Sequence, residues 1–253
     1  MTLVKPDFSE ADVCPSPNFG ERLNGTVDML VLHYTGMDSA DEALQWLCSP
    51  QSQVSAHYFV FEDGRAVQMV AEEKRAWHAG KSIWKGESDS NSRSIGIEIA
   101  NPGHQGNYPD FPLAQMETVI NLCQKCAKRW AIAPEMVLAH SDIAPQRKED
   151  PGEKFPWRSL FDSGVGHWVE PSGAAGGRFF ERGDSGQPVE ALQAMLGLYG
   201  YGVEITGNFD EHLEIVIKAF QRHFRPERVD GIADASTIET LHKLLSALPV
   251  LSK

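Results

Sequence analysis

Over the first 170 residues, short apolar runs alternate with segments whose apolar residues recur at helical spacing. The runs are rich in β-branched and aromatic residues and end at turn residues such as Asp63-Gly64, which is typical of strands. The predicted strands are Val27–Tyr34, His57–Phe61, Ala66–Val70 and Ile95–Ala100. Helical spacing covers residues 39–48 and 112–130. This alternation predicts an α/β fold with a mixed central β-sheet covered by helices.

The last part of the chain has a different pattern. Three segments space their apolar residues for helices and are separated by turns rich in Gly and Asp: Val189–Leu198, Glu211–Phe224 and Ala235–Leu248. In the turns GNFD and DGIADAST, a glycine precedes an Asp, Ser or Thr that can cap the following helix. These features predict a small three-helix domain.

Glycine, serine and other small residues replace the periodic pattern over residues 163–186, which indicates a linker. We therefore predict a first domain over residues 1–170, a linker over 171–179 and the helical domain over 180–253. Both domains have ordinary sizes for independently folding units.

The chain carries a formal net charge of −12, and 42% of its 253 residues are hydrophobic. The hydrophobic fraction supports a substantial core, while the negative charge argues against nucleic acid as a partner. No apolar run has the length of a signal-peptide core or a membrane span. We therefore expect a cytoplasmic monomer without membrane insertion, with the periplasm or cell envelope as the alternative location.

The four cysteines suit a reducing compartment and free thiols. Cys123 and Cys126 form a CxxC pair inside a predicted helix, METVINLCQKCAKRWAI, and a zinc ribbon would need a second such pair. A structural role is therefore favoured for both.

Ionisable residues crowd into one segment, AHSDIAPQRKEDPGEKFPW, at residues 139–157. Pro145, Pro151 and Gly152 interrupt it, so we predict a loop without regular secondary structure. The loop follows a short apolar run at residues 136–139, which predicts a buried strand that delivers His140. Asp150 then lies where a stiffened loop can return a carboxylate.

Two further polar residues lie in predicted strands: His33 ends the first strand, and Glu98 lies inside IGIEIAN. Two imidazoles and a carboxylate with an open fourth position would make a catalytic zinc site, with Glu98 as base and Lys148 stabilising an oxyanion. A structural or solvent-exposed role is the alternative for each of these residues. His33 could be a hydrogen-bonded edge residue, Glu98 could pair with Arg93 or Arg129, and Lys148 could be a solvated charge. Spacing alone does not bring these positions together.

Five blocks occur in the order expected for a known family: VLHYTG at 31–36, VSAHYFV at 54–60, AWHAG at 76–80, NSRSIGIEIAN at 91–101 and AHSDIAPQRKEDPG at 139–152. With them, residues from about Asn18 to Phe161 resemble the zinc-dependent N-acetylmuramoyl-L-alanine amidases of the type 2 amidase group. This group shares its fold with peptidoglycan recognition proteins.

The resemblance implies one Zn²⁺ per chain, held by His33, His140 and Asp150. It also implies that Glu98 is the general base and that Lys148 supports the transition state. Trp77, His78 and Arg147 are implied to contact substrate, although Trp77 could instead be a core residue. His57 is interpreted as structural, because it begins a strand away from the ligand motifs.

Residues from about Phe180 to Leu248 resemble the small helical peptidoglycan-binding domain of cell-wall hydrolases. Glu211 and His212 depart from its pattern, because small residues are usual at these positions. The combined resemblance predicts hydrolysis of the amide between N-acetylmuramic acid and L-alanine in peptidoglycan or a muropeptide. The alternatives are a recognition protein that binds muropeptides without cleaving them and a zinc peptidase acting within the stem peptide.

Overall fold

The computed structural model describes residues 5–23, 26–173 and 179–248. The strands in these ranges are β1 (Ala11–Val13), β2 (Phe19–Gly20), β3 (Met29–Tyr34), β4 (Tyr58–Val60), β5 (Ala66–Gln68), β6 (Arg75–Ala76), β7 (Ser94–Ile99) and β8 (Val137–Ala139). The helices are α1 (Ala40–Leu47), α2 (Ser90–Arg93), α3 (Leu113–Trp130), α4 (His140–Ile143), α5 (Trp157–Asp162), α6 (Gln187–Tyr199), α7 (Glu211–Phe224) and α8 (Ala235–Ser246).

Six strands form the central sheet in the order β1-β5-β4-β7-β3-β8. All neighbouring pairs are parallel except β4 and β5, which are antiparallel, so the sheet is mixed as predicted. The continuous apolar run of β3 is buried along nearly its whole length, as expected for a central strand covered on both faces. Helix α3 packs against the sheet through buried residues that include Cys123 and Cys126. Both cysteines are free and structural, as predicted.

The three parallel strands β7, β3 and β8 are neighbours, and their carboxyl ends meet at one edge of the sheet. His33 pairs in register with Glu98, and Leu32 pairs with Ala139, so His140 follows directly beside His33. Ligand sites in such sheets lie outside the carboxyl ends of the strands. Pairing register therefore brings together three polar residues that are distant in sequence.

The loop predicted for residues 139–157 is wrong at its two ends, because His140 begins the single turn of α4 and Trp157 begins α5. The turn forms because the Asp142 carboxylate accepts a hydrogen bond from the backbone N–H of Ala139 at 2.8 Å. Between these helices the chain has no regular secondary structure.

The last three helices form the predicted C-terminal unit, and Asp210 and Asp234 cap α7 and α8 by accepting backbone N–H groups. The predicted linker lies partly outside the described residues, at positions 174–178, and the domain boundaries stay a prediction. No helix in the described ranges is both long and apolar enough to cross a membrane.

The C-terminal helices pack tightly on the first part of the chain. Trp84 is fully buried, with its ring edge-on to that of Tyr201 at 5.0 Å, and His223 stacks on Trp157 at 3.7 Å. The Asp142 carboxylate accepts the Tyr201 hydroxyl proton at 2.6 Å and is 2.7 Å from His223 Nδ1. The helical unit therefore holds the turn that carries His140.

Candidate metal centre and active-site cleft

Three predicted ligands converge at the carboxyl edge of the sheet. His33 Nδ1 lies 2.9 Å from His140 Nδ1 and 3.1 Å from Asp150 Oδ2, and the latter two atoms are 3.0 Å apart. All three residues are buried. Among the described residues they are the one group of His, Cys, Asp or Glu side chains that could hold a metal ion.

Local backbone contacts return Asp150 to the two histidines. The backbone N–H of Ser141 donates to the carbonyl of Asp150 at 3.0 Å, and the Tyr108 hydroxyl donates to the carbonyl of Pro151 at 2.8 Å. Gly152 has a φ of +82°, and a Cβ there would lie 2.2 Å from the Tyr108 hydroxyl oxygen. Glycine is therefore required at this position for both conformation and space.

The donor atoms fit a cation better than they fit one another. His140 Nε2 lies 3.1 Å from the carbonyl oxygen of Ala79, which only accepts, so this nitrogen carries the proton. In the neutral ring, Nδ1 then presents a lone pair to the Asp150 carboxylate. Two lone pairs at 3.0 Å repel unless a positive charge lies between them, so the donor set suits a divalent metal ion.

The electrostatics keep the ligands in their metal-binding forms. Burial, reinforced by the neighbouring His140, lowers the pKa of His33 to about 4, so the ring is neutral at neutral pH. Burial alone would raise the pKa of Asp150, but the neighbouring rings of His140 and His33 hold that pKa well below its usual value. Neutral imidazole and ionised carboxylate are the forms that bind metals.

Glu98 lies beside the three ligands on β7. Burial, with a further contribution from the charge of Asp150, raises the pKa of Glu98 to about 8, and Lys148 partly opposes this rise. Its Oε2 atom is buried and has no hydrogen-bond partner among the described residues. A carboxylate whose pKa lies near neutrality and whose oxygen is free suits proton transfer.

The ligands form the floor of a cleft of about 320 Å³. Its lining also includes the predicted Glu98, Lys148 and Trp77, while Trp46 lies half-exposed at its side. An adjoining cavity of about 240 Å³ shares Tyr34, Lys148 and Asp150 with the cleft and contains Arg147. The structure thus brings all eight predicted site residues to one edge of the sheet.

The three predicted substrate contacts differ in orientation. Trp77 is half-buried in the cleft wall, whereas the His78 ring is buried and bonded at both nitrogens, to His33 and to Ser94. Arg147 is exposed, but its guanidinium donates to the backbone carbonyls of Lys81, at 2.8 Å, and Ala79. Trp77 therefore remains available for direct contact with a ligand, while His78 and part of Arg147 serve the protein.

His57 is structural, in agreement with the prediction. Its Nδ1 accepts the backbone N–H of Gly96 at 2.9 Å, and its Nε2 donates to the carbonyl of Lys74 at 3.0 Å. Burial, together with the charge of Arg22, lowers the pKa of His57 to about 3. The ring is therefore a neutral bridge between β7 and the bend that precedes β6.

Two contributors to the site were missed from sequence. Tyr34 lines both cavities, and its position directly after His33 at the strand end was a usable signal. Asp142 anchors the His140 turn through Tyr201 and His223. No local pattern signals that anchor, because its partners lie 59 and 81 residues away.

A larger cavity of about 580 Å³ lies where Ile83 and Gly86 face the C-terminal helices, with Tyr201 and His212 in its wall. The metal-ligand group lies in the smaller cleft, so chemistry rather than volume identifies the candidate active site.

Two protein families match this chain, each over a different part of it. Residues 23–153 match the family described as N-acetylmuramoyl-L-alanine amidase, and residues 185–241 match a family of peptidoglycan binding domains. The chain is 39% identical over 234 residues to the N-acetylmuramoyl-L-alanine amidase AmiD of Escherichia coli K12. The matched region covers 87% of this chain and 82% of AmiD.

Two solved complexes share the fold. AmiD bound to its substrate anhydro-N-acetylmuramic acid-L-Ala-D-γ-Glu-L-Lys superposes with a TM-score of 0.76 at 38% identity, covering 87% of this chain and 89% of that chain. AmpDh3 of Pseudomonas aeruginosa, in complex with anhydromuramic pentapeptide, gives a TM-score of 0.70 at 30% identity, covering 95% of this chain and 97% of that chain.

Proposed function

The chain belongs to the N-acetylmuramoyl-L-alanine amidase family, and on that premise we propose that it cuts the amide between N-acetylmuramic acid, or its anhydro form, and L-alanine of the stem peptide. The family predicted from the five sequence blocks is confirmed. The observation that carries the catalytic function is the convergence of His33, His140 and Asp150 beside Glu98 in an open cleft. A binding protein would not need a complete ligand set with a poised base next to it.

We propose zinc as the metal. Ligand atoms about 2.0–2.1 Å from a tetrahedral zinc lie roughly 3.3 Å from one another, close to the separations of 2.9–3.1 Å between the three donor atoms. Two imidazole nitrogens and one carboxylate oxygen leave a fourth position open, as in catalytic sites of this metal. A zinc ion held there would supply Lewis-acid polarisation of a carbonyl and acidification of water.

The reaction adds water across the amide. Glu98 takes a proton as the water oxygen bonds to the carbonyl carbon, and then gives it to the leaving amine as the C–N bond breaks. The Lys148 ammonium faces the same cleft and stabilises negative charge on the carbonyl oxygen. The products are the carboxylic acid of the sugar's lactyl group and a peptide that begins with L-alanine.

We propose that residues 1–170 form the catalytic domain, 171–179 the linker and 180–253 a peptidoglycan-binding domain, which the match of residues 185–241 supports. Both compared relatives act on or bind muropeptides, so this chain acts in cell-wall chemistry. The cytoplasmic location and the monomeric state remain predictions. Comparing turnover of an anhydromuropeptide with turnover of intact sacculi tests the location, because only the former is a soluble recycling substrate.

A paired set of variants tests the assignment. We expect E98Q to bind zinc at about one ion per chain while losing ~10²- to 10⁴-fold in kcat, because only the proton acceptor is removed. D150A should lose both zinc and turnover, whereas D110A, which changes a mostly exposed aspartate, should behave as the wild type. Zinc content is measured by mass spectrometry of the metal, and products by liquid chromatography with mass spectrometry.

The products separate the alternatives. Release of an intact peptide beginning with L-alanine indicates the amidase, and cleavage within the stem peptide indicates a peptidase. Binding without any product indicates a recognition protein. An active, zinc-free D150A would refute the metal assignment, and wild-type turnover in E98Q would refute the role of Glu98.

A further inference from the structure

The His78 ring lies beneath His33, on the side away from the metal-binding atom. Its Nδ1 is 3.0 Å from His33 Nε2, and its Nε2 is 3.1 Å from the hydroxyl oxygen of Ser94. The backbone N–H of His78 donates to Asn91 Oδ1 at 3.0 Å, which anchors the segment. Both ring nitrogens are therefore engaged inside the protein.

The direction of each hydrogen bond in this chain follows from its far end. The Ser94 hydroxyl donates to the carbonyl oxygen of Ser90 at 2.6 Å, and a carbonyl can only accept. The Ser94 oxygen therefore accepts a hydrogen bond from the N–H at His78 Nε2, and Nδ1 of the neutral ring carries a lone pair. That lone pair accepts a hydrogen bond from the N–H at His33 Nε2. His33 Nδ1 therefore presents its own lone pair to His140 and Asp150.

Strand β7 makes room for this arrangement. A Cβ on Gly96 would lie 2.4 Å from Cγ of His78, so the imidazole occupies the space that any other side chain would need. Gly96 pairs with Val31 two residues before Glu98 pairs with His33. Because side chains two residues apart project from the same face of a strand, one strand supplies both the base and the floor under His78.

We propose that His78 is a positioning residue for the metal ligand His33, rather than a substrate contact. It accepts a hydrogen bond from the N–H at His33 Nε2. This bond fixes the tautomer in which His33 Nδ1 is the ligand atom, and it fixes the orientation of the His33 ring. This inference rests on the proposed zinc site. Hydrogen-bond partners of ligating histidines commonly change metal affinity by ~10- to 100-fold when they are removed.

The test measures zinc affinity of the full-length protein by competition with a chromophoric chelator. H78L removes the acceptor and should weaken zinc binding by ~10- to 100-fold. H78N places an amide oxygen two bonds from Cβ, where Nδ1 stands, and should restore affinity to within about threefold of the wild type. H78Q places its oxygen one bond further out and should not. H242L, which changes an exposed histidine of α8, serves as the control.

Two further measurements distinguish positioning from general loss of structure. The absorption bands of the Co²⁺-substituted protein should shift in H78L and return in H78N, because they report ligand geometry. G96A keeps every hydrogen-bonding atom but displaces the ring, and should weaken zinc binding in the same direction. Circular dichroism of the metal-free variants verifies that they are folded.

Zinc affinity of H78L equal to that of the wild type would overturn the proposal, whatever happens to turnover. Equal affinities of H78N and H78Q would also overturn it, and this pair decides the matter if H78L does not fold. Failure of the wild type itself to bind zinc would instead reject the proposed metal site, and the positioning role with it.

Discussion

Removing the hydroxyl of Tyr201 tests whether the C-terminal unit stabilises the turn that carries the metal-ligand candidate His140. Tyr201 donates to Asp142 at 2.6 Å, and Asp142 is fully buried in the turn that begins with His140. The variant Y201F keeps the ring and its packing against Trp84, so only the hydrogen bond is lost.

The magnitude follows from the charge and burial of the acceptor. A hydrogen bond to a buried charged group contributes ~1.5–3 kcal/mol, and an acceptor left unpaired at 0% exposure recovers nothing from water. The expected loss of about 2 kcal/mol in the free energy of unfolding is roughly a 30-fold change in the ratio of folded to unfolded protein. Y199F is the matched control, because Tyr199 is also buried but bonds to the neutral ring of His167. It should lose only about 1 kcal/mol.

The assay is urea unfolding of the zinc-saturated protein at pH 7.5, followed by far-UV circular dichroism and by tryptophan fluorescence. The two probes should report one transition, because the aromatic interface couples the two parts of the chain. The double variant Y201F/D142N should cost less than the sum of the single changes. A loss in Y201F no larger than that in Y199F, or separate transitions for the two probes, would refute the coupling.

Two other predictions concern the loop and the sheet. G152A should reduce zinc retention by at least ~10-fold, because its Cβ would displace Tyr108 and with it the backbone next to Asp150; G164A, at a glycine with open space around it, is the control. His57 has a folded-state pKa of about 3 against 6.5 when unfolded, so below pH 6.5 the unfolded state binds the extra proton. Stability should therefore be unaffected by this group above pH 6.5 and fall by up to ~1.4 kcal/mol per unit as pH drops towards 3. The free energy of unfolding, measured in urea between pH 7.5 and 5, should depend less steeply on pH in H57Q than in the wild type. An unchanged pH dependence would contradict the neutral, buried ring.

Local sequence pattern predicted five of the eight strands and five of the eight helices in the described residues, and the sequence motifs predicted the family. The apolar run ending at His33 is a strand buried along nearly its whole length, as its shortness, its β-branched residues and the turn residues around it favoured. The helix Glu211–Phe224 has the predicted bounds, because Asp210 caps its start and its apolar spacing continues to its end. The ligand set His33, His140 and Asp150 was predicted by the resemblance to the amidase family, because spacing alone did not bring these positions together.

The roles of His78 and Asp142 could be decided only by tertiary structure. Whether the His78 ring faces a substrate or a ligand depends on the space left by Gly96 on a neighbouring strand, which is a property of register and not of spacing. Asp142 looks like an ordinary loop carboxylate until Tyr201 and His223 from another part of the chain bury it. Periodicity reports which face of an element is apolar, whereas hydrogen bonds between distant residues depend on how the faces meet.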